Sequence, residues 1–325
     1  MKNINKENKR TQTNQKESTM KYEMYETKLD TNFKKASGRR ALKRVFGKGP
    51  ISYSDFADLI AMDMLHSSAD FDNVIENLTV LGLEKSWIES SSPVVFLENR
   101  ELAQTLFEAK IDVSGAVALE PPFKQFAVAF PTETLVNGYE IKSCLVSIMT
   151  CREIFETHHY IGDVEDLCDE NRDLDDVCFV VNFKDSAGRG AIALRTLPDL
   201  DDSSFVTGES ADEIDTVLKI AFTLCIYNSA TEGEKLVQGY PDSAVKLPKG
   251  KTKMSYQGAT LKATTAKKSA SGAASPRKIK HRIPYFRNLK APRFYQGKHK
   301  DALPGSRWVW VREVDINNSM NTLLH

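Results

Sequence analysis

The residues best suited to chemistry lie near the end of the sequence, where basic and aromatic side chains interleave between His281 and Trp310. Arginine and lysine contact phosphates, whereas tyrosine, phenylalanine and tryptophan stack on unpaired bases. The pattern therefore predicts a nucleic-acid-binding segment. An alternative stays open, in which these residues form a small β-ribbon whose aromatic rings pack on the rest of the protein. The candidate nucleic-acid-binding residues are His281, Arg282, Tyr285, Phe286, Arg287, Arg293, Tyr295, Lys298, His299, Arg307, Trp308 and Trp310.

The distribution of charge also draws attention to the ends of the chain. Residues 1–50 hold 14 Lys and Arg and 5 Asp and Glu, a net charge of +9. Residues 51–245 have a net charge of −24 and residues 246–325 one of +15, so the total is zero. Segregated charge of this kind predicts that the basic ends meet something anionic. That partner is a nucleic acid, an acidic protein or the chain's own acidic middle.

No cofactor or metal ion is expected. Cys151, His158, His159 and Cys168 lack the close Cys and His spacing of a structural zinc site. The acidic stretch 163–176 has the composition of a calcium loop but neither its central glycine nor its terminal glutamate in register. Core cysteines, surface histidines and a solvated acidic loop are the simpler interpretations.

No catalytic motif is evident either. Gly188 and Gly190 do not belong to a phosphate loop and are better explained by a hairpin turn, and no GxSxG or HExxH motif occurs. A non-enzymatic protein is therefore expected, with a hydrolase or nuclease of dispersed site as one alternative. The five cysteines, an odd and widely spaced set, indicate reduced thiols. Because neither a secretory leader nor a membrane-spanning apolar run is visible, a cytoplasmic location is expected.

The elements that must position these residues follow from periodicity. Residues 1–35 are polar and predict a disordered tail. A short basic helix is expected over 34–46, and further helices begin near Ser52 and near Asp70, the latter with Gly82 as its predicted stop. Another helix is expected from about Asn99 to Lys110.

The middle of the chain then changes to strand patterns. Strands are expected over 126–130, 139–149, 177–183 and 191–197, and the turn DSAGRG at 185–190 makes the last two a hairpin. A late helix follows, with a predicted capping box at Ser210 and Glu213. One apolar stripe of this helix is predicted to be buried, and its residues are Ile214, Val217, Leu218, Ala221, Phe222 and Cys225.

Together these elements predict an α+β fold, with N-terminal helices, a central antiparallel or mixed sheet and a late packing helix. The predicted organisation is an acidic body over 36–245, a flexible basic linker over 246–280 and a basic aromatic element over 281–316. A short tail, 317–325, ends the chain. The linker prediction rests on a composition of Lys, Ser, Thr and Ala without periodicity.

The order of these elements resembles a family of phage and mobile-element proteins that includes a type V-A anti-CRISPR protein. The resemblance rests on an aromatic strand beside prolines (Pro121 to Pro131), a late apolar helix (217–230) and a terminal basic block (His281 to Arg287, then Arg307 to Trp310). It is clearest in the terminal block. There, Pro284 and Tyr285 replace the Gly-His pair of the family pattern, so the role of that histidine is not implied for this chain.

The resemblance implies a mobile-element protein that engages RNA, a translating ribosome or its nascent chain. At its most specific, the resemblance implies an anti-CRISPR or other anti-defence role, in which the protein lowers production of a host nuclease. From the charge distribution alone, an alternative is a protein-binding inhibitor whose acidic body mimics nucleic acid.

Overall fold

The chain has an α+β fold built around a mixed seven-stranded sheet. The computed structural model describes residues 20–67, 71–111, 119–157, 173–197, 211–248, 255–264 and 285–311. In spatial order, the strands of the sheet are β10 (Leu236–Gln238), β12 (Gln257–Leu261), β2 (Pro93–Leu97), β4 (Gln125–Ala129), β7 (Cys144–Thr150), β8 (Val177–Lys184) and β9 (Gly190–Thr196). Strands β12, β2 and β4 run parallel, and all the other neighbours are antiparallel.

Helices cover both faces of this sheet, and three smaller sheets surround it. The helices are α1 (Lys28–Lys34), α2 (Ala36–Phe46), α3 (Tyr53–Ser67), α4 (Phe71–Glu89), α5 (Arg100–Glu108), α6 (Cys151–Glu156) and α7 (Glu213–Ala230). Strand β1 (Lys21–Glu23) pairs with β11 (Ala244–Lys246), and β5 (Leu135–Val136) pairs with β6 (Tyr139–Glu140). The third small sheet comprises β3 (Lys110–Ile111), β13 (Tyr285–Asn288) and β14 (Trp308–Val311).

Alternation along the strands divides the core into two layers. Val95 and Val128 face α5 and α7, whereas Val94 and Ala127 face α4 and the N-terminal segment. A third apolar cluster joins α1, α2 and α3 to the outer side of α4. The C-terminal three-stranded sheet packs on α7, so it and helix α2 lie on opposite sides of the main sheet.

The expected hairpin is confirmed. Strands β8 and β9 pair in register from Cys178 with Thr196 to Lys184 with Gly190. Strand β8 is buried on both faces, as its unbroken apolar sequence predicts. The strand expected over 139–149 is instead divided into β6 and β7.

Helix α7 is buried on every side rather than along one stripe. All residues from Thr216 to Ser229 are buried, because the main sheet covers one side of the helix and the C-terminal sheet another. Phe222 makes an edge-to-face contact with Phe179, with 5.4 Å between ring centroids. Ile214, predicted to be buried, is 38% exposed. Asp212 caps the helix, and Ser210 lies outside the described residues.

Gly82 does not end its helix, contrary to the prediction. Helix α4 continues through it to Glu89. A Cβ atom at this position would lie 2.3 Å from Oγ1 of Thr157, so the glycine allows the segment after α6 to approach the helix closely.

The prediction of a disordered tail over 1–35 is wrong for residues 20–35. Strand β1 and helix α1 occupy this stretch, and Tyr22 and Tyr25 are buried. The hydroxyl of Tyr22 donates a hydrogen bond of 2.7 Å to the carbonyl oxygen of Leu97, at the end of a central strand. A few aromatic residues thus anchor a segment whose average composition is polar. Residues 1–19 lie outside the described part of the chain.

The predicted linker over 246–280 is also wrong where it is described. Strand β12 lies between β10 and β2 in the main sheet, with Ala259 and Leu261 fully buried. The C-terminal element is not a separate unit either, since β13 pairs with β3, which follows α5. Residues 249–254 and 265–284, and the end of the chain from 312, lie outside the described ranges.

No helix in the described part of the chain is long and apolar enough to cross a membrane.

Candidate nucleic-acid interface

The predicted site residues converge on the small sheet formed by β14, β13 and β3. Its inner face packs on α7. Phe286 is fully buried, with its ring centroid 6.5 Å from that of Tyr227 and 4.5 Å from that of Trp310. Trp308, on the same face, is 4% exposed. Phe286 and Trp308 are therefore core residues in this conformation, and their predicted role in base stacking is replaced by packing.

The outer face of this sheet carries the other half of the alternating pattern. In β13, Tyr285 is half-buried and Arg287 is exposed. The strand register places Tyr285 opposite Lys110 of β3, and Arg287 opposite Val309 of β14. Lys110 is exposed, and Val309 is 38% exposed. The outer face thus brings an aromatic ring and two cations to one surface.

The loop from β13 to β14 holds most of the remaining predicted residues in structural roles. The hydroxyl of Tyr295 accepts a hydrogen bond of 2.6 Å from the backbone N–H of Gly305. The guanidinium of Arg307 donates to the carbonyl oxygen of Phe294. Arg293, by contrast, is exposed, with its guanidinium carbon 4.9 Å from the ring centroid of Phe294.

Two residues of the predicted site, a lysine and a histidine, lie against an acid of the body. Nζ of Lys298 lies 2.6 Å from Oε2 of Glu232, which follows α7, and Nε2 of His299 lies 3.7 Å from the other carboxylate oxygen. The hydrogen bond from Lys298 lowers the pKa of Glu232 below its ordinary value. This part of the basic element is therefore balanced internally, as one of the alternatives for the basic ends predicts.

The structure brings together only part of the predicted set. Tyr285 and Arg287 share the outer face, and Arg293 is exposed in the adjoining loop, whereas Phe286 and Trp308 are buried beneath. Trp310 is half-buried and contacts Tyr227, with 5.8 Å between ring centroids. His281 and Arg282 lie outside the described residues.

Lys110 is the residue of this surface that the sequence did not reveal. It stands more than 170 positions before Tyr285 in the chain, in a two-residue strand after α5. No local motif marks it, because only the parallel pairing of β3 with β13 brings it to this sheet.

The sequence predicts no metal site, and the structure describes only some of the cysteines and histidines on which that prediction rests. Cys151 is buried with its Sγ atom 3.0 Å from that of Cys178, and His158, His159 and Cys168 lie outside the described ranges. Within those ranges, no group of three or more His, Cys, Asp or Glu side chains is placed to hold a metal ion.

Comparison of the chain with protein-family models, with curated proteins and with solved structures finds no match.

Proposed function

We propose that this protein binds single-stranded RNA through the outer face of its C-terminal three-stranded sheet. One observation carries the proposal. The sheet uses one face for packing on α7 and leaves Tyr285, Arg287 and Lys110 on the other. Between Tyr285 and Val311 the chain has six Lys and Arg against one Asp, so the surrounding surface is cationic as well.

The arrangement suits an unpaired strand better than a duplex. A ring on an open β-surface offers a platform for one base, and a stacked base contributes about 1–3 kcal/mol of binding free energy. Arg287 and Lys110 flank that ring on neighbouring positions of the sheet. Within the described residues neither has an ion-pair partner, so both side chains can contact phosphates without breaking an existing pair.

The test is RNA binding by the full-length double variant Lys110→Gln, Arg287→Gln. We expect weaker binding and a shallower dependence of log K on log salt, by about 0.7 for each phosphate of a single strand that the variant no longer neutralises. The melting temperature should change little, because exposed charges contribute little to stability. The matched control is Arg195→Gln, which removes an exposed cation from edge strand β9. Equally weakened binding in the control and the double variant would contradict the proposal.

Tyr285 separates stacking from charge. Tyr285→Phe keeps the ring and should bind RNA nearly as the wild type does, whereas Tyr285→Ser should lose about 1–3 kcal/mol of binding free energy without a change in salt slope. If the two variants bind equally, Tyr285 does not stack on a base.

The finer proposal is that the RNA belongs to a translating ribosome, and that binding lowers production of a nuclease of a host defence system. Its support is the resemblance in the terminal block and the charge of that block. A pull-down from cells, with and without ribonuclease, read by mass spectrometry and sequencing, tests it. Ribosomal proteins and message should co-purify with the wild type and in clearly smaller amounts with Lys110→Gln, Arg287→Gln. Capture of an unchanged set of proteins after ribonuclease would favour a protein partner instead.

A further inference from the structure

Helix α2 forms a second cationic surface that the C-terminal site does not include. Seven Lys and Arg and no Asp or Glu occur between Thr31 and Ser54, and all seven are exposed. On the helix, Arg40, Lys43 and Arg44 are spaced i, i+3 and i+4, so they share one face. Leu42 is buried and attaches the helix to the apolar cluster of α1, α3 and α4.

The side chains of this face are not engaged within the described part of the protein. Lys34 pairs with Glu26, and the guanidinium of Arg39 donates to the carbonyl oxygens of Phe33 and Lys34 at 2.8 and 2.9 Å. Arg40, Lys43 and Arg44, by contrast, have neither a hydrogen-bond nor an ion-pair partner among the residues that the structure describes. Three neighbouring cations are therefore directed at solvent.

The local sequence favours charge over helix stability. Arg40 and Arg44 are like charges at i and i+4, which destabilise a helix. The N-cap residue Lys35 makes no side-chain capping bond, and the first turn lacks an acid. The helix dipole stabilises the cations of the last turn, Lys43 and Arg44, and offsets only part of this unfavourable free energy. Positions that depart from local stability rules are where a functional constraint is expected.

We propose that α2 is a phosphate-binding surface for nucleic acid, and that a single chain thereby holds two nucleic-acid segments. The helix is about 16 Å long, so its cationic face can follow several successive phosphates of a strand. A membrane surface fits it less well, since Leu42 faces the protein and Val45 is the one large apolar residue of α2 that is mainly exposed. The second clause of the proposal rests on the proposed function of the C-terminal sheet, and the first does not.

Because the two cationic surfaces lie far apart on the protein, we expect one chain to bridge two separate nucleic-acid segments. The C-terminal sheet packs on α7 on one side of the main sheet, and on the other side α2 belongs to the apolar cluster on the outer side of α4. With helix and sheet layers spaced by roughly 10 Å, the two surfaces are separated by about 30–40 Å. One short oligonucleotide does not span that separation around the body, so two segments are held.

The experiment compares full-length wild type with the triple variant Arg40→Gln, Lys43→Gln, Arg44→Gln. Binding of a labelled single-stranded RNA should weaken, with a salt slope shallower by about 2 if each of the three cations neutralises one phosphate. Two short RNAs carrying donor and acceptor dyes should give a proximity signal that rises with wild-type protein and falls again when protein is in excess. The triple variant should lose this signal while still binding one RNA.

The C-terminal variant Lys110→Gln, Arg287→Gln separates the two proposals. If it binds as wild type and the triple variant does not, the function proposed for the C-terminal sheet fails and the α2 surface stands. If the triple variant retains binding, salt slope and proximity signal at an unchanged melting temperature, the α2 proposal is overturned. Unchanged RNA binding with a lower melting temperature would also overturn it, because α2 would then be a counter-charge for the acidic body. Loss of binding to phosphatidylserine vesicles alone would assign α2 to a membrane surface and overturn it likewise.

Discussion

Two regions of this protein bury polar groups in opposite ways. The N-terminal polar network consists of Tyr25, Lys28, Tyr53, Glu84 and Asn182, and both carboxylate oxygens of Glu84 are satisfied. Oε1 of Glu84 accepts from the Tyr25 hydroxyl at 2.7 Å, and Oε2 accepts from the Lys28 backbone N–H at 2.8 Å and from the Tyr53 hydroxyl. Asn182, in strand β8, donates to the Tyr25 hydroxyl at 2.6 Å.

The C-terminal seam is the contact between the end of α7 and the C-terminal element, and it consists of Asn228, Asn288, Ser306 and Trp308. Each of these residues has a buried side-chain polar atom without a hydrogen-bond partner in the described structure. A buried polar atom without a partner costs about 1–3 kcal/mol. The seam is therefore held mainly by its aromatic rings, whereas the N-terminal network adds directional hydrogen bonds to its packing.

The contrast indicates that the N-terminal helices are fixed in position on the main sheet, whereas the C-terminal element is attached to α7 in a more adaptable way. The N-terminal network joins α1, α3 and α4 to strand β8, so the position of the N-terminal helices is specified by bonds that allow no other arrangement. The seam lies beneath the sheet proposed to bind RNA. An attachment with unpartnered polar atoms lies closer in free energy to a detached state, which suits an element that meets an external partner.

The largest expected effect comes from breaking the N-terminal network. Glu84→Ala removes the acceptor of two buried hydroxyls and a backbone amide, so we expect a loss of about 3–5 kcal/mol in the free energy of unfolding. Urea unfolding followed by circular dichroism measures it. Tyr53→Phe, which removes a single donor, should cost less than half as much. A loss below about 1 kcal/mol for Glu84→Ala would show that the network does not fix the N-terminal layer.

An element of this fold is predictable from the sequence when the residues that determine it lie within the element itself. The hairpin of β8 and β9 and the helix α7 are predictable, because the turn of the hairpin and the apolar residues of the strands and the helix lie within the segments themselves. Strand β12 is not. Its sequence QGATL is typical of a linker, yet Gly258 lies under the rings of Phe96 and Tyr240, where a Cβ atom would be 3.4 Å from each. A Cβ atom at that position would already be in van der Waals contact with both rings, so a side chain longer than that of alanine would meet them.

The candidate site shows the same limit. Interleaved basic and aromatic residues predict the β-strands of the C-terminal element, but which face of each strand turns inward depends on contact with α7. That contact buries Phe286 and leaves Arg287 exposed. Lys110 and Glu84 were missed because a lone charged residue at the end or in the interior of a helix pattern carries no signal of its partners.

The pH dependence of stability sharpens the comparison further. Burial raises the pKa of the Glu84 carboxyl above its ordinary value of 4.5, although Tyr53, Lys28 and Tyr25 donate hydrogen bonds to it. Folding thus favours the protonated form. The stability contributed by Glu84 is fully present below pH 4.5 and is lost as the pH rises through the folded-state pKa. The cost of Glu84→Gln should therefore be largest at acidic pH and shrink as the pH rises, by at most about 1.4 kcal/mol per pH unit.

A control with the opposite sign is available in the same layer. Burial opposes ionisation of Glu26, but Lys34 and Lys184 outweigh it and lower the pKa of this carboxyl. Its contribution is present above the ordinary pKa of 4.5 and is lost as the pH falls, so Glu26→Gln should cost most near neutral pH. Unfolding curves at a series of pH values give both differences. Parallel trends for Glu84→Gln and Glu26→Gln would contradict the assignment.

The smallest expected effect tests the seam with one atom. Ser306 is 3% exposed, and its Oγ has no hydrogen-bond partner among the described residues, so Ser306→Ala removes a buried polar atom without breaking a bond. We expect no loss of stability, or a gain of up to about 1 kcal/mol. The matched control is Ser147→Ala, since Ser147 is fully buried but accepts a 2.8 Å hydrogen bond from Nε2 of Gln125. That change should cost about 0.5–1.5 kcal/mol, because one N–H of the Gln125 amide loses its acceptor, while the amide nitrogen still donates to the carbonyl oxygen of Leu83.

The urea concentrations at the unfolding midpoints of the two variants, compared at equal slope of free energy against urea, measure the difference. If Ser306→Ala costs as much as Ser147→Ala, the Ser306 hydroxyl is satisfied in solution, and the contrast between the network and the seam does not hold.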